Sequence, residues 1–257
     1  MRYFLIEQPV QAGSTCTISG SDVRHIRNVL RLKPGDPVFL FDGKGFEYEA
    51  KIVRLSVKSV DLSVINRFPS ASESPIHITV AQAFLKEKKM ENLIRPLTEL
   101  GISRWVPFIC ARSVARPDVK RRSARASRWQ KIAKESLKQC RRARPLEIAP
   151  TAPFDDILEL GQSVGLKFFF WEGASRPLHS AISSLPTPKA DKVLLVLGPE
   201  GGFSKAEAEA AEAHGFLSVT LGPRILRAET ATITACVLAQ YAFGDIGQKN
   251  LDKNPGL

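Results

Sequence analysis

The pattern of apolar and polar positions changes character near residue 70. Before it, short runs rich in β-branched and aromatic residues predict strands at Tyr3–Ile6, Val38–Phe41, Glu47–Leu55 and Val60–Ile65. Asp42-Gly43-Lys44-Gly45 lies between the second and third of these and supplies the residues a tight hairpin needs. One short helix is predicted over 21–30, where Ser21 and Asp22 give a start signal and Val23, Ile26, Val29 and Leu30 recur at helical spacing. Pro34-Gly35 closes it. Residues 1–67 therefore read as a small, β-rich, mostly antiparallel unit of barrel-like character.

Phe68-Pro69-Ser70-Ala71-Ser72-Glu73-Ser74-Pro75 has the composition of a linker, and a second domain is predicted over 76–247. There, strands alternate with helices. Ile76–Phe84, Trp105–Ile109, Lys167–Trp171, Val193–Leu197 and Ser218–Leu221 carry strand patterns. Met90–Leu100, 124–142, Ser204–His214 and Glu229–Phe243 carry helical ones. Such alternation predicts an α/β fold, a parallel sheet covered by helices on both faces.

The 257 residues carry 37 Lys+Arg against 26 Asp+Glu, a formal net charge of +11. Between Arg112 and Arg144 stand thirteen basic residues and only Asp118 and Glu135 on the acidic side, so this stretch alone accounts for the whole excess. Within it Trp129, Ile132, Ala133, Ser136, Leu137 and Cys140 make one helical stripe. Arg128, Lys131, Lys134, Lys138, Arg141 and Arg142 fall opposite, and Lys120-Arg121-Arg122 precede the predicted helix. A helix face with so few balancing acids is expected to meet a nucleic acid, although a solvated face is the alternative. Trp129 belongs to the apolar stripe and is expected in the core.

Composition narrows the setting. Hydrophobic residues at 44% suit a packed core and exclude a disordered or collagen-like chain. Cys16, Cys110, Cys140 and Cys236 form no C-x-x-C pair, and His25, His77, His179 and His214 never fall at ligand spacing with them. The expectation is a reducing, cytoplasmic setting with no metal site. An early acid at Glu7 argues against a signal peptide, and no apolar run is long enough to span a bilayer, so no membrane partner is expected.

The sharpest chemical signal follows two strands near the C-terminus. Val193–Leu197 leads into Gly198-Pro199-Glu200-Gly201-Gly202-Phe203-Ser204, where Ser204 and Glu207 have capping-box spacing for the next helix. Ser218–Leu221 leads into Gly222-Pro223-Arg224-Ile225-Leu226-Arg227-Ala228-Glu229-Thr230-Ala231. Strand, glycine loop and helix together place backbone N–H groups around a ligand at the carboxyl end of a parallel sheet. Neither loop has the ending of a phosphate-binding P-loop or the spacing of a dinucleotide fingerprint. A structural turn remains the plain reading for either loop alone; Glu229 and Thr230 also suit a first helical turn, and Arg224 and Arg227 an ordinary surface.

Taken together, Leu197-Gly198-Pro199-Glu200-Gly201-Gly202-Phe203 and Leu221-Gly222-Pro223-Arg224-Ile225-Leu226-Arg227-Ala228-Glu229-Thr230-Ala231 resemble the C-terminal signature of the bacterial 16S rRNA (uracil-N3)-methyltransferases, a family of the SPOUT superfamily. The resemblance covers nearly the whole chain. His25-Ile26-Arg27-Asn28-Val29-Leu30-Arg31 with Pro34-Gly35-Asp36 is similar to a segment of the family's PUA-like N-terminal domain. Lys89-Met90-Glu91, Thr98-Glu99-Leu100-Gly101, Arg128-Trp129-Gln130-Lys131-Ile132-Ala133 and Gln139-Cys140 with Arg142 match further positions. The chain departs from the family at Ala111-Arg112-Ser113 and at Lys138-Gln139, both times toward more basic character.

The resemblance implies a SPOUT-type parallel sheet with a C-terminal trefoil knot and a PUA-like RNA-binding domain. It implies S-adenosylmethionine as cofactor, held by Trp171–Ala174, Leu197–Gly202 and Leu221–Ala228. The binding residues would be Trp171, Glu172, Leu197, Gly198, Pro199, Glu200, Gly201, Gly202, Leu221, Gly222, Arg224, Ile225, Leu226 and Ala231, with Leu197, Ile225 and Leu226 flanking the adenine. The reaction would be methyl transfer to N3 of a uridine in 16S rRNA of the small ribosomal subunit. Arg227 would stabilise charge on the uracil or hold a phosphate, and Glu229 would take the N3 proton or organise its loop. RNA would be met by His25, Arg27, Arg31, Arg112, Arg121, Arg122, Arg128, Lys131, Lys138 and Arg142. A homodimer through the knotted domain is expected, for which the apolar helix Thr232–Phe243, with Ile233, Cys236, Val237, Ala239 and Tyr241, could equally be surface or core. Two other readings stay open: a SPOUT enzyme acting on the ribose 2′-O of tRNA or rRNA, and a non-catalytic RNA-binding assembly factor. The PUA-like segment speaks against the first and the intact glycine loops against the second.

Overall fold

The computed structural model describes residues 2–6, 8–114, 119–186 and 190–248, the side chains of 119–124 excepted. Its contacts divide the chain into two compact units, one built on Met1–Glu73 with Leu137–Pro145, the other on Ser74–Ser136 with Leu146–Asn250.

In the smaller unit, β1 (Tyr3–Leu5), β2 (Thr15–Ser19), β3 (Pro37–Phe41), β4 (Phe46–Leu55) and β5 (Ser59–Pro69) form one sheet in the order β1-β3-β4-β5-β2. Only β1 and β3 run parallel. The β3–β4 hairpin turns on the expected tetrad, with Gly43 and Gly45 at φ 70° and 100°. The Asp42 carboxylate accepts the Lys44 N–H at 2.8 Å and the Phe46 N–H at 3.2 Å, which fixes the turn. β2 escaped the strand pattern because Ile18 is its only buried residue. β5 continues through Phe68 and Pro69 opposite Glu47 and Phe46, so the expected linker begins as strand. The helix expected over 21–30 spans 21–29, but only α1 (Ser21–Arg24) is α-helical and it continues as a π-helical turn over His25–Val29.

In the larger unit, β6 (His77–Ala83), β7 (Arg104–Ile109), β8 (Glu147–Ile148), β9 (Ala152–Pro153), β10 (Leu166–Phe170), β11 (Lys192–Leu197) and β12 (Leu217–Val219) are all parallel. Their order is β12-β10-β11-β6-β7-β8, with β9 also on β7. The helices are α2 (Lys89–Glu99), α3 (Val119–Cys140), α4 (Phe154–Gln162), α5 (Leu178–Ser183), α6 (Lys205–Ala213) and α7 (Ala228–Phe243). α3 starts at Val119, so Lys120-Arg121-Arg122 lie within the helix rather than before it. α4 and α5 were not visible in the sequence: they span nine and six residues, too few to establish a period.

Alternate strand residues feed two cores. Ile78, Val80, Trp105, Phe168, Phe170, Val193, Leu195 and Leu197 pack with α2, α3, α5 and α7. Ala81, Ala83, Val106, Phe108, Phe169, Leu194 and Val196 pack with α4 and α6 on the opposite face. That strict alternation is what a sheet covered on both sides requires. Trp129 lies in the first core, its ring 5.0 Å from that of Trp105, as the stripe on its helix predicts. The register pairs Phe170 with both Leu197 and Val219, so the loops leaving β10, β11 and β12 depart side by side.

Candidate active site

Those three loops enclose a cleft of about 610 Å³, within the range of small-molecule sites. All fourteen residues named individually as cofactor-binding line it, as do Arg227 and Glu229.

The first loop is anchored at both ends. Phe203 is buried, its ring 4.2 Å from Phe169 and parallel to Phe108 at 6.3 Å. Ser204 caps α6 in a full capping box with Glu207, whose carboxylate also accepts the Ala111 N–H at 2.8 Å. Gly202 stands at φ 64°, and a Cβ there would run into the Glu172 carboxylate. Both the backbone and the close approach therefore require glycine. At the loop's start, the buried Gln82 of β6 donates to the Gly198 carbonyl at 3.1 Å, and its side-chain oxygen accepts from Thr232 of α7.

The second loop turns at Gly222, φ 120°, and ends at Arg227, the extended residue before α7. Arg224 and Arg227 are exposed, and Ile225 is 92% exposed although it lines the cleft. The third loop is tied to the sheet by the Trp171 N–H, which donates to the Val219 carbonyl at 3.1 Å.

A charged cluster closes one side. The Lys89 ammonium, at the first residue of α2, lies 3.1 Å from Glu200 Oε1 and 3.4 Å from Glu229 Oε2. Glu200 Oε1 also accepts the Lys86 N–H at 3.0 Å. Burial works to raise the Glu200 carboxyl, but its own N–H, the Lys86 N–H and the Lys89 ammonium outweigh this and hold it below the usual carboxylate range. The bond to Glu200, with the charges of Glu200 and Glu229, holds the Lys89 ammonium above the usual lysine range. Glu229 Oε2 is buried and accepts no hydrogen bond among the described residues. Burial pushes the thiols of Cys16, Cys110 and Cys236 up, so none of these is poised as a nucleophile. The cleft thus offers apolar walls (Leu197, Ile225, Leu226), close backbone and three carboxylates, a donor set that fits a ligand with an aromatic base, hydroxyl groups and a positive centre.

The basic residues fare unevenly. Arg128, Lys131 and Lys134 are exposed on α3, with Arg128 paired to Glu91 at 3.0 Å. Lys138 is half-buried and bonds both oxygens of Asp22 at 2.9 Å. Arg142 corrects the expectation. It is 3% exposed, and its guanidinium lies 3.0 Å from Glu73, whose other oxygen accepts the N–H groups of Ala143 and Arg144. It is a structural ion pair, withdrawn from any RNA-facing surface. Arg112 belongs to the cleft's edge, where it donates to the Gly201 carbonyl at 3.1 Å. His25 and Arg31 are exposed and Arg27 half-buried, all in the smaller unit. The side chains of Arg121 and Arg122 lie outside the described residues. On α7, Cys236 and Ala239 are core, Ile233 packs against it, and Tyr241 is 67% exposed.

Sequence reasoning missed the site roles of Gln82, Lys89 and Thr232. Gln82 had a signal, a polar residue inside an otherwise apolar strand. Lys89 had none beyond its place in a matched motif, because its partners lie more than a hundred residues away.

Comparison with known proteins now bears on these features. Residues 72–240 match an RNA methyltransferase domain and residues 18–65 an RNA methyltransferase PUA domain. The ribosomal RNA small subunit methyltransferase E of Bacillus subtilis is 34% identical over 247 residues, covering 93% of this chain and 96% of its own. The crystal structure of the Neisseria gonorrhoeae protein of that name, bound to S-adenosyl methionine, superposes with a TM-score of 0.83 at 29% identity, covering 95% of this chain and 99% of its own. A Legionella pneumophila protein in complex with the same cofactor gives 0.81 at 30% identity, covering 95% and 98%. With a domain match over most of its length and relatives aligned over more than nine-tenths of both chains, the chain belongs to the RNA methyltransferase family.

Proposed function

We propose that this protein methylates N3 of a uridine in 16S rRNA of the small ribosomal subunit, using S-adenosylmethionine. The observation that carries the reading is the convergence of all sixteen expected cofactor and catalytic residues on one cleft at the carboxyl ends of three adjacent parallel strands. Relatives named ribosomal RNA small subunit methyltransferase E, matched over more than nine-tenths of both chains, support methylation of small-subunit rRNA.

When bound, the cofactor supplies a methyl group already activated by its positive sulfur. The chain's task is alignment and proton removal. Leu197, Ile225 and Leu226 would flank the adenine, and the Gly198–Gly202 and Gly222 backbones would allow close approach to the ribose. Glu229, which lines the cleft beside Lys89, takes the N3 proton. Arg227, exposed at the mouth, balances charge gathering on the uracil or holds the nucleotide's phosphate. N3 lies on the pairing edge, so the base must be unpaired before attack. The exposed cations of α3 and the PUA-type domain hold the RNA backbone. The domain division near residue 70 and a homodimer, with Tyr241 and Leu238 as exposed apolar residues of α7, belong to the same reading.

The test is incubation with labelled cofactor and small subunits lacking the modification, followed by nucleoside mass spectrometry. The expected product is 3-methyluridine. A 2′-O-methyl nucleoside would select the other SPOUT chemistry, and bound RNA with no product would leave a binding factor.

A further inference from the structure

Lys89 comes from outside the glycine loops, yet its ammonium reaches the carboxylates of both. It is 28% exposed at the cleft, bonded to Glu200 at 3.1 Å and lying 3.4 Å from Glu229. The second distance is an ion pair without a good hydrogen bond, so the ammonium retains N–H groups uncommitted to either acid. Glu200 Oε1 is shared between the Lys86 N–H and Lys89, whereas Glu229 Oε2 accepts no hydrogen bond among the described residues.

An acceptor and a cationic donor thus lie side by side at the wall of the cleft. Uracil presents the complementary pair on adjacent atoms of its pairing edge: the N3–H donor and a neighbouring carbonyl acceptor. Cytosine presents the reverse, an unprotonated N3 beside an amino donor that would face the ammonium. Accordingly, we infer that Lys89 and Glu229 together read and activate the imide edge of the target base, with Lys89 donating to O4, the uracil carbonyl oxygen that cytosine replaces by an amino group. The inference rests on the uridine-N3 reading above and adds a residue and a basis for selecting uracil.

The charges balance through the step. The N3 proton passes to the Glu229 carboxylate, leaving that acid neutral and the negative charge spread over N3 and the carbonyl oxygens. Lys89 thereby loses one of its two anionic partners as a new anion forms beside it. The N3 lone pair then forms the N–CH3 bond while the S–CH3 bond breaks, its electron pair returning to sulfur. The products are neutral methyluracil, a neutral thioether and a protonated Glu229 that releases its proton to water. Glu200 holds the ammonium in place throughout.

Lys89→Met and Lys89→Arg, compared with the unaltered protein, test this. Turnover is read against pH at saturating cofactor, cofactor affinity by calorimetry, and RNA affinity with uracil or cytosine at the target position. Removing a donor to a developing oxyanion should lower kcat about 100-fold near neutral pH. The loss should shrink as rising pH ionises the uracil unaided, while cofactor affinity stays within about threefold and the preference for uracil falls but does not vanish, because Glu229 still accepts the N3–H. Lys89→Arg should retain at least a tenth of the rate. A kcat within threefold of the unaltered protein for Lys89→Met overturns the inference. So does a loss that is independent of pH and matched by equal loss of cofactor affinity, which would make Lys89 only a brace between loops. If the unaltered protein yields a 2′-O-methyl product, the uridine-N3 reading and the inference fall together; if it yields 3-methyluridine and Lys89→Met behaves normally, only the inference falls.

Discussion

Gly202 meets two requirements that no other residue satisfies together, a left-handed backbone and contact with the Glu172 carboxylate. Gly202→Ala should cost about 1–2 kcal/mol of stability from the backbone alone, seen as a lowered Tm. Displacing Glu172 should weaken cofactor binding at least tenfold by calorimetry. Arg142 illustrates the opposite kind of residue, one whose chemistry suggests a surface and whose environment is interior. Arg142→Met leaves Glu73 with its backbone donors and no cation, so denaturant unfolding should show a loss of about 3 kcal/mol, while RNA affinity of the folded protein stays within about twofold. Glu200 has a depressed carboxyl, so its stabilisation is complete above the ordinary glutamate range, about pH 4.3, and disappears as pH falls through its own lower value. Glu200→Gln should therefore lower Tm at neutral pH, and the gap from the unaltered protein should close on acidification. Loop residues such as these were legible in the sequence because glycines, prolines and cap residues act locally. Gln82 and Thr232 were not, because their meaning is a bond between segments 150 residues apart.

At the scale of elements, periodicity served where it ran long. The stripe from Trp129 to Cys140 located a core face of α3, and Val193–Leu197 a strand buried on both sides. It failed for β2, whose residues are mostly exposed, and for α5, which buries only Leu178 and Ala181. The parallel order of the sheet could be anticipated from alternation, but not the placement of β10 between β11 and β12, which long-range pairing alone decides. That placement is what brings three loops to one cleft. The α3 surface separates binding from chemistry in a measurable way. Arg128, Lys131 and Lys134 are exposed there, whereas Lys138 is held by Asp22. Reversing the first three to Glu should weaken RNA binding at least tenfold while cofactor affinity is unchanged. A parallel loss of cofactor affinity would mean that the helix supports the cleft rather than the RNA.

For the whole molecule, folding redistributes the charge that the sequence concentrates in Arg112–Arg144. Arg128, Lys138 and Arg142 of that stretch pair with Glu91, Asp22 and Glu73, all of which lie outside it. The stretch is therefore less positive in effect than its composition states. The rest of the chain, with three of its acids engaged, is more positive than its balanced count suggests. In the smaller unit Arg24, Arg31 and Lys33 are exposed and Arg27 half-buried, around an Asp22 already committed to Lys138. RNA affinity should accordingly draw on both units, not on α3 alone. Each neutralised phosphate contributes about 0.7 to 0.9 to the slope of log affinity against log salt. Replacing Lys131 and Lys134 by Ala should reduce the slope by about 1.4–1.8, and replacing Arg27 and Arg31 should do the same. The four together should reduce it by about 3, whereas Lys138→Gln should leave it nearly unchanged because that ammonium is already paired. A slope that responds only to the α3 pair would confine the RNA contact to the larger unit and leave the smaller unit's cations without an electrostatic part in holding the RNA.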